Sequence, residues 1–212
     1  DQYLKQLPNL LDKSVPIGKD ETENTEIRSW GKKDWSFEPK GHVELLTALG
    51  LLDMERGAKV AGHGFYYIKD KLAILDLALQ RFAIDLLIKK GFTLVEPPLM
   101  LNRKPYEGVV DIKDFEDVMY KAEGEDLYLI ATSEHPMAAM HMDEVIDMKD
   151  LPVRLAGISP CFRKEVGAHG KYTRGLFRVH HFNKVEQFVF CLPKDSWQIH
   201  EELQHNSEEM LQ

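Results

Sequence analysis

Two β-type runs in the last third of the chain, RLAGISPCFRKE and LFRVHHFNKVEQFVFCL, carry charged and aromatic residues at spacings that suit a phosphorylated ligand. Successive side chains on a strand alternate faces, so Arg163 and Glu165 point one way. On the returning run Arg178, His180, Phe182, Lys184 and Glu186 share a face, provided no bulge intervenes. Guanidinium groups donate to phosphate oxygens, an aromatic ring offers a flat surface for a base, and a carboxylate holds an ammonium group. The same spacing also fits the solvated face of an antiparallel sheet laced with cross-strand ion pairs. A second set, Thr132-Ser133-Glu134 at the end of LYLIATSEHP, presents a hydroxyl and a carboxylate on one side of an extended segment. It equally fits the N-cap of a following helix.

The elements that must position these groups follow from hydrophobic period and punctuation. The loop VGAHGKYTRG joins the two runs, with glycines at 167, 170 and 175, and predicts a long antiparallel hairpin with a basic tip at Lys171 and Arg174. Residues 69–90 carry the strongest helical pattern, with Leu72, Leu75, Leu79, Phe82 and Leu86 apolar and a narrow polar stripe at Asp76, Gln80, Asp85 and Lys89; Gly91 stops it. A helix apolar over most of its girth needs cover on more than one side. FTLVEPPLML then reads as an edge strand, because Pro97-Pro98 forbids a helix. Residues 43–60 suggest two short helices broken by Gly50 and Gly57, LYLIATSEHP a strand, AAMHMDEVI a helix, and 195–212 a further helix without a closing signal. Residues 1–39, with an acidic cluster at Asp20, Glu21, Glu23 and Glu26 and with Trp30 and Trp35, read as a lead-in to a domain over 40–212.

With 43% hydrophobic residues in 212, the chain can bury a core. No apolar run is long enough for a membrane span and the first residues show no signal-peptide pattern, which points to the cytoplasm. Cys161 and Cys191 form no CxxC pair and receive no chemical role. A formal charge of -8 opposes indiscriminate nucleic-acid binding, though not a local basic contact. GAHGKYT lacks the spacing of a P-loop, and His200 and His205 in HEELQH are five apart rather than the four of a zinc-binding HExxH. His141, His180 and His181 are expected to pack rather than ligate, and no metal is assigned to the chain's own residues.

Together these stretches resemble one family. CFRKEVGAHGKYTRGLFRVHHFNKVEQF resembles motif 2 of class II aminoacyl-tRNA synthetases (about 155–191), in the form found in seryl-tRNA synthetases. ATSEH is similar to the family's serine-binding TxE loop (132–134). The helix followed by KKGFTLVEPPLML resembles motif 1 (about 69–101), and LPNLLDKSVPIG with RSWG resembles the segment that joins a tRNA-binding coiled coil to the catalytic domain. The resemblance implies an α+β fold, a mainly antiparallel sheet flanked by helices, and a homodimer across motif 1. It implies ATP-dependent activation of serine and transfer to tRNA(Ser), with Mg²⁺ accompanying ATP.

Residue roles carry over by the same resemblance. Arg163 would contact the ATP α-phosphate and the serine carboxylate, Lys164 and Glu165 the nucleotide, and Arg178 the γ-phosphate. Phe182 would stack on adenine, framed by Val179, His180 and His181. Thr132, Ser133, Glu134 and Glu186 would hold serine. Lys171 and Arg174 would meet the tRNA acceptor end or pyrophosphate, or only solvent. Motif 3, with a further arginine and a Mg²⁺-binding carboxylate, and most of the N-terminal tRNA-binding arm are not represented, so the chain reads as a piece impaired by itself. Two other functions remain open at this point: an amino-acid ligase charging a carrier protein, and a non-catalytic paralogue acting as a binding module.

Overall fold

The structure, a computed structural model, describes residues 7, 10–32, 34–111, 116–165 and 175–212. The chain divides into two compact units, Asp1–Gly41 and His42–Gln212. In the first, a short 3-10 helix (Glu21–Glu23) is capped by the Asp20 carboxylate, which accepts from the Thr22 amide. No described residue of this unit is buried, and Trp30 and Trp35 are both exposed.

The second unit opens with helix α1 (His42–Ala48), strand β1 (Leu52–Asp53), helix α2 (Met54–Ala61) and strand β2 (Tyr67–Ile68), the two strands pairing antiparallel. Gly50, at φ 71°, ends α1 as the sequence suggests, but Gly57 does not break a helix. It lies inside α2, where a Cβ would come 2.5 Å from the Phe65 carbonyl oxygen, so its smallness serves packing. Helix α3 (Lys71–Lys89) follows, and Gly91 at φ 83° terminates it. Ala83, Ile84 and Leu87 are buried, whereas Leu77 is 65% and Phe82 52% exposed within this chain.

FTLVEPPLML forms two strands rather than one. Strand β3 (Thr93–Val95) runs parallel to strand β6 (Val153–Phe162), at the edge of its sheet, while β4 (Met100–Leu101) pairs antiparallel with β5 (Tyr128–Leu129) in a separate ribbon. The two prolines lie between them, lacking the amide donors that continuous pairing would need. Helix α4 (Arg103–Glu107) precedes β5, and helix α5 (Glu134–Ala139) follows it. The helix expected over AAMHMDEVI thus begins earlier and ends at Ala139.

Strand β7 (His181–Phe190) pairs antiparallel with β6 over ten residues, giving the order β3-β6-β7, and helix α6 (Ser196–Leu211) closes the described chain. Alternation sends one face of this sheet to the helices. Leu87, Phe92 and Ala156 form a core there with Val185, Val189 and Leu203. Arg154 reaches Glu202 through bonds of 2.6 and 3.0 Å, and Asn206 donates to Gln187 at 2.8 Å, which lock α6 to the sheet. A second core of Leu101, Tyr106, Met119, Tyr128 and Ile130 supports the ribbon. The fold is α+β with mainly antiparallel pairing, as the sequence suggests.

Candidate active site

The other face of the hairpin carries the candidate residues. Register places Phe182 opposite Cys161, Lys184 opposite Ser159 and Glu186 opposite Gly157, so three large side chains of β7 stand beside small ones of β6. Gly157 has a specific reason to lack a side chain: a Cβ would lie 2.7 Å from both Ser133 Oγ and Met137 Cε. The start of α5 can therefore settle against the sheet. That approach brings Thr132 to Glu186, with Thr132 Oγ1 donating to Glu186 Oε2 at 3.0 Å. Lys184 forms an ion pair with the same carboxylate.

Strand pairing ends at Leu129, so Thr132 and Glu134 do not share a strand face as the sequence suggested. They share a turn in which Thr132 Oγ1 accepts from the Glu134 amide at 3.2 Å. The N-cap residue of α5 is Ser133, whose side chain makes no cap bond; the Thr132 hydroxyl instead accepts from the first helical amide while donating to Glu186. Thr132 and Ser133 are buried and Glu134 is exposed; Ser133 Oγ has no hydrogen-bond partner among the described residues.

On the opposite side of the floor, Arg163, Glu165, Arg178 and His180 all lie outside the strands, which end at Phe162 and begin at His181. Glu165 adopts φ 51°, a turn conformation that strand alternation did not anticipate. Other contacts hold the two limbs together. The Arg163 amide donates to the His180 carbonyl at 3.0 Å, the Lys164 amide to Val118 at 2.9 Å, and the His180 amide to Gly64 at 3.2 Å. The His180 ring stacks on Phe65 at 5.0 Å, and its Nδ1 is 2.9 Å from both Arg163 O and Tyr120 Oη. His42 accepts from the Leu176 amide at 3.1 Å. His42, Gly64, Phe65 and Tyr120 are residues that sequence reasoning missed. Their signal is weak, because nothing local in GHGFYY tells which distant segment it will meet.

The Arg163 guanidinium lies 5.1 Å from the centre of the Phe182 ring, and its Nε donates to the Ala131 carbonyl at 3.4 Å. Arg178 pairs with Glu165 at 3.4 Å and is half exposed. Val179 is buried, whereas the His181 ring stacks at 5.2 Å on its cross-strand partner Phe162, away from Phe182 by strand alternation. The hairpin tip with Lys171 and Arg174 lies outside the described residues. The floor therefore gathers Thr132, Arg163, Phe182, Lys184 and Glu186, with Arg178 and Glu165 paired at its edge.

Burial shapes the electrostatics beneath it. The His135 imidazole is pushed down to about 4, by desolvation first and then by the charges of Lys184 and Arg163. Desolvation pushes the Tyr106 hydroxyl up to about 12, and the buried Cys161 thiol is raised for the same reason. Among the described residues no three His, Cys, Asp or Glu side chains gather as a metal site. Also among them, no helix is long and apolar enough to cross a membrane.

Residues 115–212 match the family model described as the tRNA synthetase class II core domain (G, H, P, S and T). A serine--tRNA ligase of Methanocella arvoryzae is 62% identical over 213 residues, covering 99% of this chain and 50% of that protein. A crystal structure of seryl-tRNA synthetase from Pyrococcus horikoshii complexed with ATP superposes with a TM-score of 0.95 at 51% identity, covering 99% of this chain and 52% of that one. A cytoplasmic serine-tRNA ligase from Naegleria fowleri in complex with AMP superposes with a TM-score of 0.91 at 39% identity, covering 98% and 51% respectively. The chain spans about half the length of the curated relatives it matches. With its hairpin, its TSE turn and this match along nearly its whole length, the chain belongs to the seryl-tRNA synthetases of class II.

Proposed function

We propose that the full-length protein activates serine with ATP and transfers it to tRNA(Ser), and that the β6–β7 hairpin with the Thr132–Glu134 turn is where serine and ATP meet. The observation that carries this reading is the convergence of Thr132 and Glu186 at 3.0 Å beside a guanidinium resting on an aromatic ring. An amino acid's ammonium group needs a carboxylate, its hydroxyl a polar partner, and a nucleotide needs a cation and a flat apolar surface.

In this reading Glu186 takes the serine ammonium group, with Thr132, Ser133 and Glu134 completing the pocket. The serine carboxylate oxygen attacks the ATP α-phosphorus, the bond from that phosphorus to the α,β-bridging oxygen breaks, and pyrophosphate leaves in line with the electron pair of that bond. No protein nucleophile is needed, so positioning and charge stabilisation do the work. Arg163 exchanges the Phe182 ring and the Ala131 carbonyl for the α-phosphate and the serine carboxylate. Arg178 exchanges Glu165 for the γ-phosphate, leaving Glu165 with Lys164 for the nucleotide. Phe182 stacks on adenine, with the Val179–Phe182 backbone framing the base. Mg²⁺ would supply further neutralisation of the phosphates, and the steps above belong to this chain's side chains alone.

The exposed apolar residues of α3, among them Leu77, Leu79 and Phe82, support a two-fold dimer across that helix. The cytoplasm is the proposed site of action. Residues 1–39 are proposed as the lead-in to a catalytic domain beginning at residue 40. Serine-dependent exchange of labelled pyrophosphate into ATP by the full-length protein tests the reading. Exchange that needs serine and ignores alanine and threonine supports it; full-length protein without exchange contradicts it and favours a binding module.

A further inference from the structure

We propose that Tyr106 and His135 act as a positioning pair for the serine pocket: the hydrogen bond between them fixes the Thr132–Glu134 turn and thereby the amino-acid selectivity of the site. The proposal rests on the serine reading of that turn. Neither residue belongs to the floor of the site. Tyr106 comes from α4 and is completely buried in the core of Leu101, Met119, Tyr128 and Ile130. Its hydroxyl donates to the Leu129 carbonyl at 3.5 Å and lies 2.9 Å from His135 Nδ1, with the rings tilted at a centroid distance of 5.0 Å. Either atom can be the donor in the 2.9 Å bond, according to the imidazole tautomer, and both arrangements join the same two atoms.

The histidine is tied just as directly to the pocket. It follows Glu134 in the chain, and its amide donates to the Thr132 carbonyl at 3.3 Å. The tyrosine is thus a rigid post in one core, and the turn that presents Thr132 Oγ1 to Glu186 is fastened to it through one imidazole. A positively charged ring here would stand among Lys184 and Arg163, so the pocket is built around the uncharged form. Burial leaves few alternative partners for either group, and losing one partner exposes the other to an uncompensated desolvation cost. A turn freed from the post can shift Thr132 relative to Glu186, and a small displacement suffices to blur discrimination by hydroxyl-sized differences.

Kinetics of amino-acid-dependent pyrophosphate exchange by the full-length protein test this, using Tyr106→Phe, His135→Asn and His135→Gln. Asparagine places its amide nitrogen where Nδ1 stood; glutamine carries it farther out. Tyr106→Phe and His135→Gln are expected to raise KM for serine about tenfold, leave KM for ATP within about twofold, and raise alanine or threonine use relative to serine. His135→Asn is expected to recover most of the loss. Equal effects of the two His135 variants, or parallel rises in KM for serine and ATP, would overturn the pair's positioning role. An unmodified protein without serine-dependent exchange would overturn the serine reading, and this inference with it.

Discussion

The two sides of the site are built in opposite ways. On the proposed serine side, Thr132, Ser133 and His135 are buried, and Thr132 is hydrogen-bonded to Glu186. On the proposed nucleotide side, Arg163 rests on Phe182 and Arg178 on Glu165, in contacts that a phosphate could replace. The first arrangement spends folding stability on a fixed pocket. The second holds its two cations in partly solvated contacts. A small amino acid offers few atoms for recognition, so its pocket must be rigid. ATP offers many charges, so its cations can rearrange as it binds.

This contrast predicts that substitutions on the two sides separate activity from stability. The largest effect on activity falls on the nucleotide side: Arg163→Ala should lower the turnover of pyrophosphate exchange by ~10²–10³, the scale for removing a group that stabilises developing transition-state charge. Its urea midpoint should stay near that of the unmodified protein, because the guanidinium's contacts are replaceable.

The next largest effect is on stability, on the buried side. The ring of His135 has its affinity for protons lowered from 6.5 to about 4 when folded, chiefly by desolvation. The unfolded chain takes up that proton first, so this contribution is full above about pH 6.5 and is lost as pH falls towards 4. Up to ~3 kcal/mol of stability should disappear across that window. Urea titrations at pH 7.5 and 4.5 should show a smaller acid loss in His135→Asn than in the unmodified protein.

Smaller again is Thr132→Val, which keeps shape and removes the hydroxyl. It should raise KM for serine about tenfold and cost ~1–2 kcal/mol of stability. The mildest is Arg178→Ala, for which a severalfold rise in KM for ATP is expected with no shift in the urea midpoint. If Arg178→Ala destabilised the fold as much as Thr132→Val, the contrast between a fixed and a rearranging side would be lost.

Much of this organisation can be read from residues alone, where chemistry and period agree. The alternation of β7 placed Phe182, Lys184 and Glu186 on one face, and the structure keeps them so. The 3.6-residue period located α3, and Gly91 marked its end. Alternation failed where the ladder stops: Arg163, Glu165, Arg178 and His180 lie outside it, His180 is held by Gly64 and Phe65, and the neighbouring Lys164 and Leu176 by Val118 and His42, all distant in sequence. Gly57 was misread because a glycine that admits a neighbouring backbone looks, in sequence, like one that ends a helix. The Tyr106–His135 bond left no local signal either, since 29 residues separate its partners. Motif resemblance identified the family, while the supports of the site needed three dimensions.

The most direct test of the account is calorimetric titration of this chain with a non-hydrolysable seryl-adenylate analogue, beside its alanyl and threonyl counterparts and with Arg163→Ala as control. The account predicts tight binding of the seryl form alone, lost in Arg163→Ala. Equal binding of all three, or seryl binding that survives loss of Arg163, would contradict it.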